Sequence, residues 1–195
     1  MQGAGGIWSR MAPARLVAAV DEIDVEELWE AGYRGIILDI DNTIAPWHGS
    51  EPVAAAEEWV ERAKHRGFRV CLVSNARAAR IRSFAARLGV GHVEAGRKPG
   101  RRPFLEAQKL LGLPPSQIVV VGDQLLTDVW GARRLGFQAL LVDPISPREF
   151  LATRLARRLE ALVLRQLARR RLVRPEAEAR RRRRVFSDGS QEGEK

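Results

Sequence analysis

Cysteine is almost missing from this sequence. Cys71 is the only one in 195 residues, so no disulfide can form within the chain, and a secreted scaffold stapled by disulfides is excluded. Nowhere does an apolar run approach the roughly 18 residues that a membrane-crossing helix needs. The first twenty residues interrupt their apolar positions with Arg10 and Arg15, and so lack the core of a signal peptide. These absences make a cytoplasmic address the expectation, with peripheral attachment at the inner face of a membrane left open. Lysine is scarce too: Lys64, Lys98, Lys109 and Lys195 are the only ones, every other positive side chain being arginine. A lysine standing between Arg97 and Pro99 in so arginine-rich a chain points to a place where a compact ammonium is wanted.

What is present suffices for a core. Hydrophobic residues make up 45% of the chain, enough for one folded domain with an appendage. The net charge of +9 belongs to one end: residues 1–152 carry 19 Lys and Arg against 18 Asp and Glu, whereas residues 153–195 carry 14 against 6. A neutral body with a basic end suits a tail that meets anions, either nucleic acid or lipid headgroups.

Residues 1–20, with Gly3, Gly5, Gly6 and Pro13, are expected to be loosely structured. Asp24 followed by Glu27 fits the start of a short helix that ends at Gly32. Apolar runs at 36–41, 68–73, 90–94, 118–121 and 137–142 read as strands, with helices at 52–66, 77–88 and 103–111 and a partly helical stretch at 125–135. Strands alternating with helices imply right-handed crossovers. The expected fold is therefore α/β and Rossmann-like, with a five-stranded parallel sheet and helices on both faces. In such sheets ligands bind beyond the carboxyl ends of the strands.

At those ends stand DIDNT (39–43), SN (74–75), KP (98–99) and GDQLLTD (122–128). On a strand, Asp39 and Asp41 would point the same way, and two carboxylates so close call for a cation or for paired chemical roles. Taken alone, DIDNT is equally a turn cap, since Asp, Asn and Thr are ordinary turn residues. Trp47 and His48, in the loop after DIDNT, are loop residues within reach of a ligand. Together, the order and strand-end placement of the four motifs resemble the haloacid dehalogenase (HAD) superfamily of phosphatases over roughly residues 20–172. More narrowly, DIDNTIAPW, VSN, RKP and GDQLLTDVWGA are similar to the YqeG family of type III HAD phosphatases, which is related to mitochondrial-type phosphatidylglycerophosphate phosphatases.

The resemblance implies a phosphoric monoester hydrolase with Mg²⁺ as cofactor. Asp39 would be the nucleophile, forming an aspartyl-phosphate, and Asp41 the general acid and base. Asp39, Asp41 through its main-chain carbonyl and Asp123 would hold the metal, with Asp128 an additional or water-mediated ligand, an all-oxygen set that suits Mg²⁺. For Asp128 the competing reading is an N-cap of the helix that follows. Lys98 would neutralise Asp39 and phosphate, and Thr43, Ser74 and Asn75 would contact the substrate. Only one helix fits between Thr43 and residue 68, and only one helix and a short strand between Ser74 and Lys98, so no cap domain is expected. An open site suits a large or interfacial phosphomonoester, with phosphatidylglycerophosphate the substrate that kinship suggests. A phosphatase of proteins or small molecules, and an RNA-binding module with incidental catalysis, are the alternatives.

Residues 148–172 form an amphipathic helix in this reading, with Leu151, Leu155, Leu159, Leu162, Val163 and Leu167 over one arc and arginines opposite. That arc either docks on the body or lies on an anionic membrane. Residues 173–195, with Arg180 to Arg184 in a row, have almost no core-forming residues and are expected to be a disordered basic tail.

Overall fold

GIIL, RVCLV and IVVVG stand side by side at the centre of the sheet because runs without polar alternation must be covered on both faces. The computed structural model describes residues 6–94, 96–146 and 151–186, with side chains left aside at 151–157 and 182–186. In chain order the strands are β1 (Arg15–Val17), β2 (Gly35–Leu38), β3 (Arg69–Val73), β4 (Gly91–Val93), β5 (Ile118–Gly122) and β6 (Gln138–Val142). The helices are α1 (Ile7–Met11), α2 (Val25–Glu30), α3 (Ala54–Arg66), α4 (Ala78–Leu88), α5 (Arg101–Leu111), α6 (Trp130–Arg133), α7 (Leu151–Arg169) and α8 (Pro175–Phe186). All strand pairs are parallel, in the order β1-β6-β5-β2-β3-β4.

The two-residue period of the strands splits the core in two. Ile36, Leu38, Val70, Leu72, Val119 and Val121 face one side, where α2, α3 and α4 cover them with Leu28, Trp59, Val60, Ile81 and Phe84. Ile37, Cys71, Val73, Ile118 and Val120 face the other, against Phe104, Leu111, Ala132, Leu164 and Leu167 of α5, α6 and α7. Cys71 is an ordinary core residue there, fully buried, and burial pushes its thiol up to about 12. Trp59 is buried without stranding its indole N–H, which donates to the carbonyl of Ile23 at 2.7 Å. Asp24 caps α2, its carboxylate accepting from the N–H groups of Glu26 and Glu27. Gly67 ends α3 at φ +108, a conformation that a side chain would resist.

Three expectations need correction. The sheet has six strands, not five, because residues 6–20 are not loose: Arg15–Val17 pairs with Leu140, Leu141 and Val142 as an edge strand, and Ile7–Met11 is helical, while residues 1–5 lie outside the described ones. The tail after residue 172 is not structureless either, since α8 packs against α7 and β1. Residues 187–195 of that tail lie outside the described ones, as do residues 148–150 of the expected 148–172 helix. Third, β2 ends at Leu38, so Asp39 and Asp41 lie beyond it and strand alternation does not govern both.

The chain passes from β2 outward through β3 to β4, then returns to the other side of β2 as β5. The switch in strand order therefore falls between β2 and β5, which are followed at once by Asp39 and Asp123. One helix follows β2 and one follows β3, and no further domain is inserted at either place.

Candidate active site

Asp39 extends the β2 ladder by one bond, its N–H donating to the carbonyl of Val121 at 3.0 Å. The chain then turns sharply around the carbonyl of Ile40, which accepts from the N–H groups of Thr43, Ile44 and Ala45. Asn42 sits in this turn at φ +61, a left-handed conformation that Asn tolerates. The turn sends the two aspartates apart. Asp39 points down to a buried cluster; Asp41 points to α4, where Arg80 pairs with its Oδ1 at 2.9 Å.

The cluster holds three carboxylates and one ammonium. Oxygens of Asp39, Asp123 and Asp128 lie within 4.8 Å of one another, all three residues buried. Lys98, 7% exposed, donates through Nζ to Asp39 Oδ1 at 2.5 Å and to Asp128 Oδ1 at 2.6 Å. Burial pushes the Asp39 carboxyl up to about 7, with the charges of Asp128 and Asp123 adding to the rise and Lys98 opposing it. Burial likewise raises Asp128 above its ordinary value, against the pull of Lys98. For Lys98, burial alone would lower the ammonium, but Asp128 and Asp39 outweigh it and hold the group above its usual value.

This arrangement fits a hard divalent cation on two grounds. Three buried carboxylates exceed one buried ammonium in charge, and every donor is oxygen. Asp39, Asp123 and Asp128 are the residues that can hold the ion. The carboxylate of Asp41 is outside that set because Arg80 engages it, which leaves only its main-chain carbonyl for the expected metal role.

The other motif residues gather at the same edge, but Thr43, buried and outside the cleft lining, turns to Asp39. Thr43 donates through Oγ1 to Asp39 Oδ2 at 3.3 Å. Ser74 is buried, and its Oγ accepts from the N–H of Ala76 at 3.2 Å. Asn75 turns to the chain: its Nδ2 donates to the carbonyl of Lys98 at 3.1 Å, and its Oδ1 accepts from the N–H of Lys98 at 2.8 Å. It thus positions the lysine as well as lining the cleft. Asp128 does not cap α6, whose N-cap is Val129. Its Oδ2 accepts from the N–H of Gln124 at 3.0 Å across a wide π-turn, Leu125–Val129. Gly122 permits that approach, because a Cβ there would stand 2.4 Å from Asp128 Cγ.

Beside the cluster opens a cleft of about 720 Å³, lined by Asp39, Asp41, Ser74, Lys98, Trp47 and His48 among others. Trp47 and His48 meet edge to face, 6.0 Å apart. Arg80 was not legible from the sequence. It is one of four arginines on or just before α4, and nothing local separates the one that reaches Asp41 from Arg77, Arg82 and Arg87. Its position three residues into a helix that starts at the cleft is the one local hint.

A family model for haloacid dehalogenase-like hydrolases matches residues 21–136. The chain is 35% identical over 158 residues to the "Probable phosphatase YqeG" of Bacillus subtilis (strain 168), a match that spans 81% of this chain and 92% of that protein. It is 27% identical over 158 residues to the "Phosphatidylglycerophosphate phosphatase 1, chloroplastic/mitochondrial" of Arabidopsis thaliana, spanning 76% of this chain and 45% of that protein. Among solved structures, 3-deoxy-D-manno-octulosonate 8-phosphate phosphatase from Yersinia pestis aligns with a TM-score of 0.48 at 18% identity, over 60% of this chain and 67% of that one.

Proposed function

Because the chain belongs to the haloacid dehalogenase-like hydrolases and is a phosphatase of that family, we propose that it cleaves phosphomonoesters through an aspartyl-phosphate on Asp39, with Mg²⁺ as the cation. The observation that carries this reading is the ammonium of Lys98 bridging Asp39 and Asp128 beside an open cleft. One oxygen of Asp39 attacks phosphorus, the ester P–O bond breaks, and the leaving alkoxide takes a proton from Asp41. A water then attacks the phosphorus of the aspartyl-phosphate and gives its proton to Asp41, releasing phosphate and restoring Asp39. Asp41 does this by turning between the reacting oxygens and Arg80, which holds the carboxylate between steps. Lys98 offsets charge on Asp39 and on the phosphoryl oxygens, while Ser74 donates to those oxygens. Held by Asp39, Asp123, Asp128 and the carbonyl of Asp41, Mg²⁺ would add positive charge where the phosphoryl group transfers.

The substrate we favour is a lipid-borne phosphomonoester of the phosphatidylglycerophosphate type. Similarity to a plant phosphatidylglycerophosphate phosphatase supports it, as does a cleft with no domain inserted over it. The single apolar arc expected of α7 is split: Leu164 and Leu167 are buried in the body, but Leu159 and Leu162 are 51% and 55% exposed, as are the neighbouring Arg158, Arg165 and Arg169. Exposed leucines among arginines suit peripheral contact with anionic headgroups. Among the described residues, no helix is long and apolar enough to cross a membrane.

The test is phosphate release from phosphatidylglycerophosphate, sugar phosphates, nucleotides and phosphopeptides, each with and without Mg²⁺. Mg²⁺-dependent release, fastest from the lipid and abolished in a folded Asp39→Asn variant, is expected. Turnover retained by that variant removes Asp39 as nucleophile, and preference for a soluble ester removes the lipid substrate.

A further inference from the structure

Two buried charged side chains outside the catalytic cluster reach its supporting loop from the C-terminal helices. Glu160 on α7 is 4% exposed, and its Oε1 accepts a hydrogen bond from the main-chain N–H of Leu126 at 3.2 Å. Arg181 on α8 is 3% exposed, and its guanidinium donates to the carbonyls of Asp123 and Val142 and, at 3.1 Å, to Asp143 Oδ1. Asp143 lies just past β6, where its N–H donates to the carbonyl of Val17 in β1 at 3.0 Å. The stretch from Asp123 to Asp128 is therefore gripped at its first carbonyl and at a middle N–H by side chains 58 and 34 residues away in sequence.

Charges this deep are costly to bury unless they are bonded. Here the bonds run to main-chain atoms of the segment that presents Asp123 and Asp128. The N–H of Leu126 lies in the first turn of the segment Leu125–Val129, where a helix leaves its N–H groups without an acceptor of its own, and Glu160 supplies one from outside. We propose that the α7–α8 hairpin is a positioning device for the metal-holding carboxylates, in which Glu160 and Arg181 fix the backbone from which Asp123 and Asp128 project. The basic C-terminal region thereby acts on the active site from behind, and not only on what lies outside the protein. This rests on the reading of Asp39, Asp123 and Asp128 as the Mg²⁺ site.

The experiment compares the full-length wild-type chain with Glu160→Ala, Glu160→Gln and Arg181→Gln. Each is titrated with Mg²⁺ by calorimetry, and its melting temperature is recorded with and without Mg²⁺. Glu160→Ala and Arg181→Gln should weaken Mg²⁺ binding by about 10-fold or more, within the range typical for partners that orient metal ligands. Glu160→Gln keeps an acceptor oxygen for the Leu126 N–H and should stay within about twofold of wild type. Variants that melt lower but bind Mg²⁺ as tightly as wild type would show that both side chains serve packing alone, and so overturn the proposal. Should Arg181→Gln fail to fold, the Ala and Gln variants at Glu160 give the same decision by themselves. A wild-type chain that takes up no Mg²⁺ overturns the metal reading itself, whereas normal wild-type uptake with unaltered variants overturns only the positioning role.

Discussion

Lys98 and Asp39 show how a buried charge can be both a stability problem and a chemical asset. With no cation bound, Lys98 is, among the described residues, the one ammonium beside three buried carboxylates. Lys98→Met should therefore destabilise the metal-free protein by about 3–5 kcal/mol, the usual cost of stranding buried charge; urea unfolding measures it, and Mg²⁺ should restore part of the loss. The Asp39 carboxyl, pushed up to about 7 by burial, gives a pH signature of definite sign. Between its unfolded value near 3.8 and about 7, the native state holds a proton that the unfolded chain has released. Stability then falls as pH rises through that window and levels off above it. Thermal melts of the metal-free protein should show this decline, and saturating Mg²⁺, which takes the ionised form, should flatten it. A further expectation concerns Asp41, the proposed general acid and base. Asp41→Asn should lower kcat by about 10²–10⁴-fold while leaving the metal titration near wild type, because Asp41's carboxylate faces Arg80 and not the metal cluster.

Much of this was legible in the residues. Asp39, Lys98, Asp123 and Asp128 all follow apolar strands or the loops beyond them, and parallel α/β topology gathers strand ends without further information. What could not be read was the partner of Asp41. Arg80 depends on how far α4 is carried across the sheet edge, which no local pattern records.

At the scale of elements, the clearest lesson lies in the pieces the sequence hid. β1 is three residues long, too short for alternation to register, and it exists because β6 offers it a parallel edge. α8 has almost no apolar face; it is held by an arginine that finds carbonyls and Asp143 in the interior, so composition points to a solvated tail. The GDQLLTD segment stands out as a motif in the sequence, yet its π-turn does not. Its geometry depends on Gly122, and Gly122→Ala would drive a Cβ into Asp128. That substitution should cost about 1–3 kcal/mol of stability and weaken Mg²⁺ binding, since Asp128 must leave both Gln124 and Lys98 to escape the clash. Calorimetric titration and a melting curve of the same sample check both effects.

For the whole molecule, charge and open architecture set how it would meet a substrate. A net charge of +9, weighted to the C-terminal end, should draw the protein to vesicles containing anionic lipid. Co-sedimentation should fall steeply between about 0.05 and 0.5 M salt, as screening shortens the reach of the arginines. Replacing Leu159 and Leu162 together by Glu should weaken vesicle binding while leaving hydrolysis of a soluble phosphomonoester unchanged, since neither side chain borders the cleft. Unchanged sedimentation would remove α7 as the contact.

The Arg181 clamp also orders the molecule in time. A chain emerging from the ribosome presents Asp39, Lys98, Asp123 and Asp128 long before residue 181, and β1 must wait for β6, more than 120 residues later, to find its edge. Pairings of such long range are slow to close and come late in folding. The nascent protein thus has the three proposed metal ligands in sequence before the arginine bonded to the Asp123 carbonyl has been made, and under the proposed positioning role turnover should await α8.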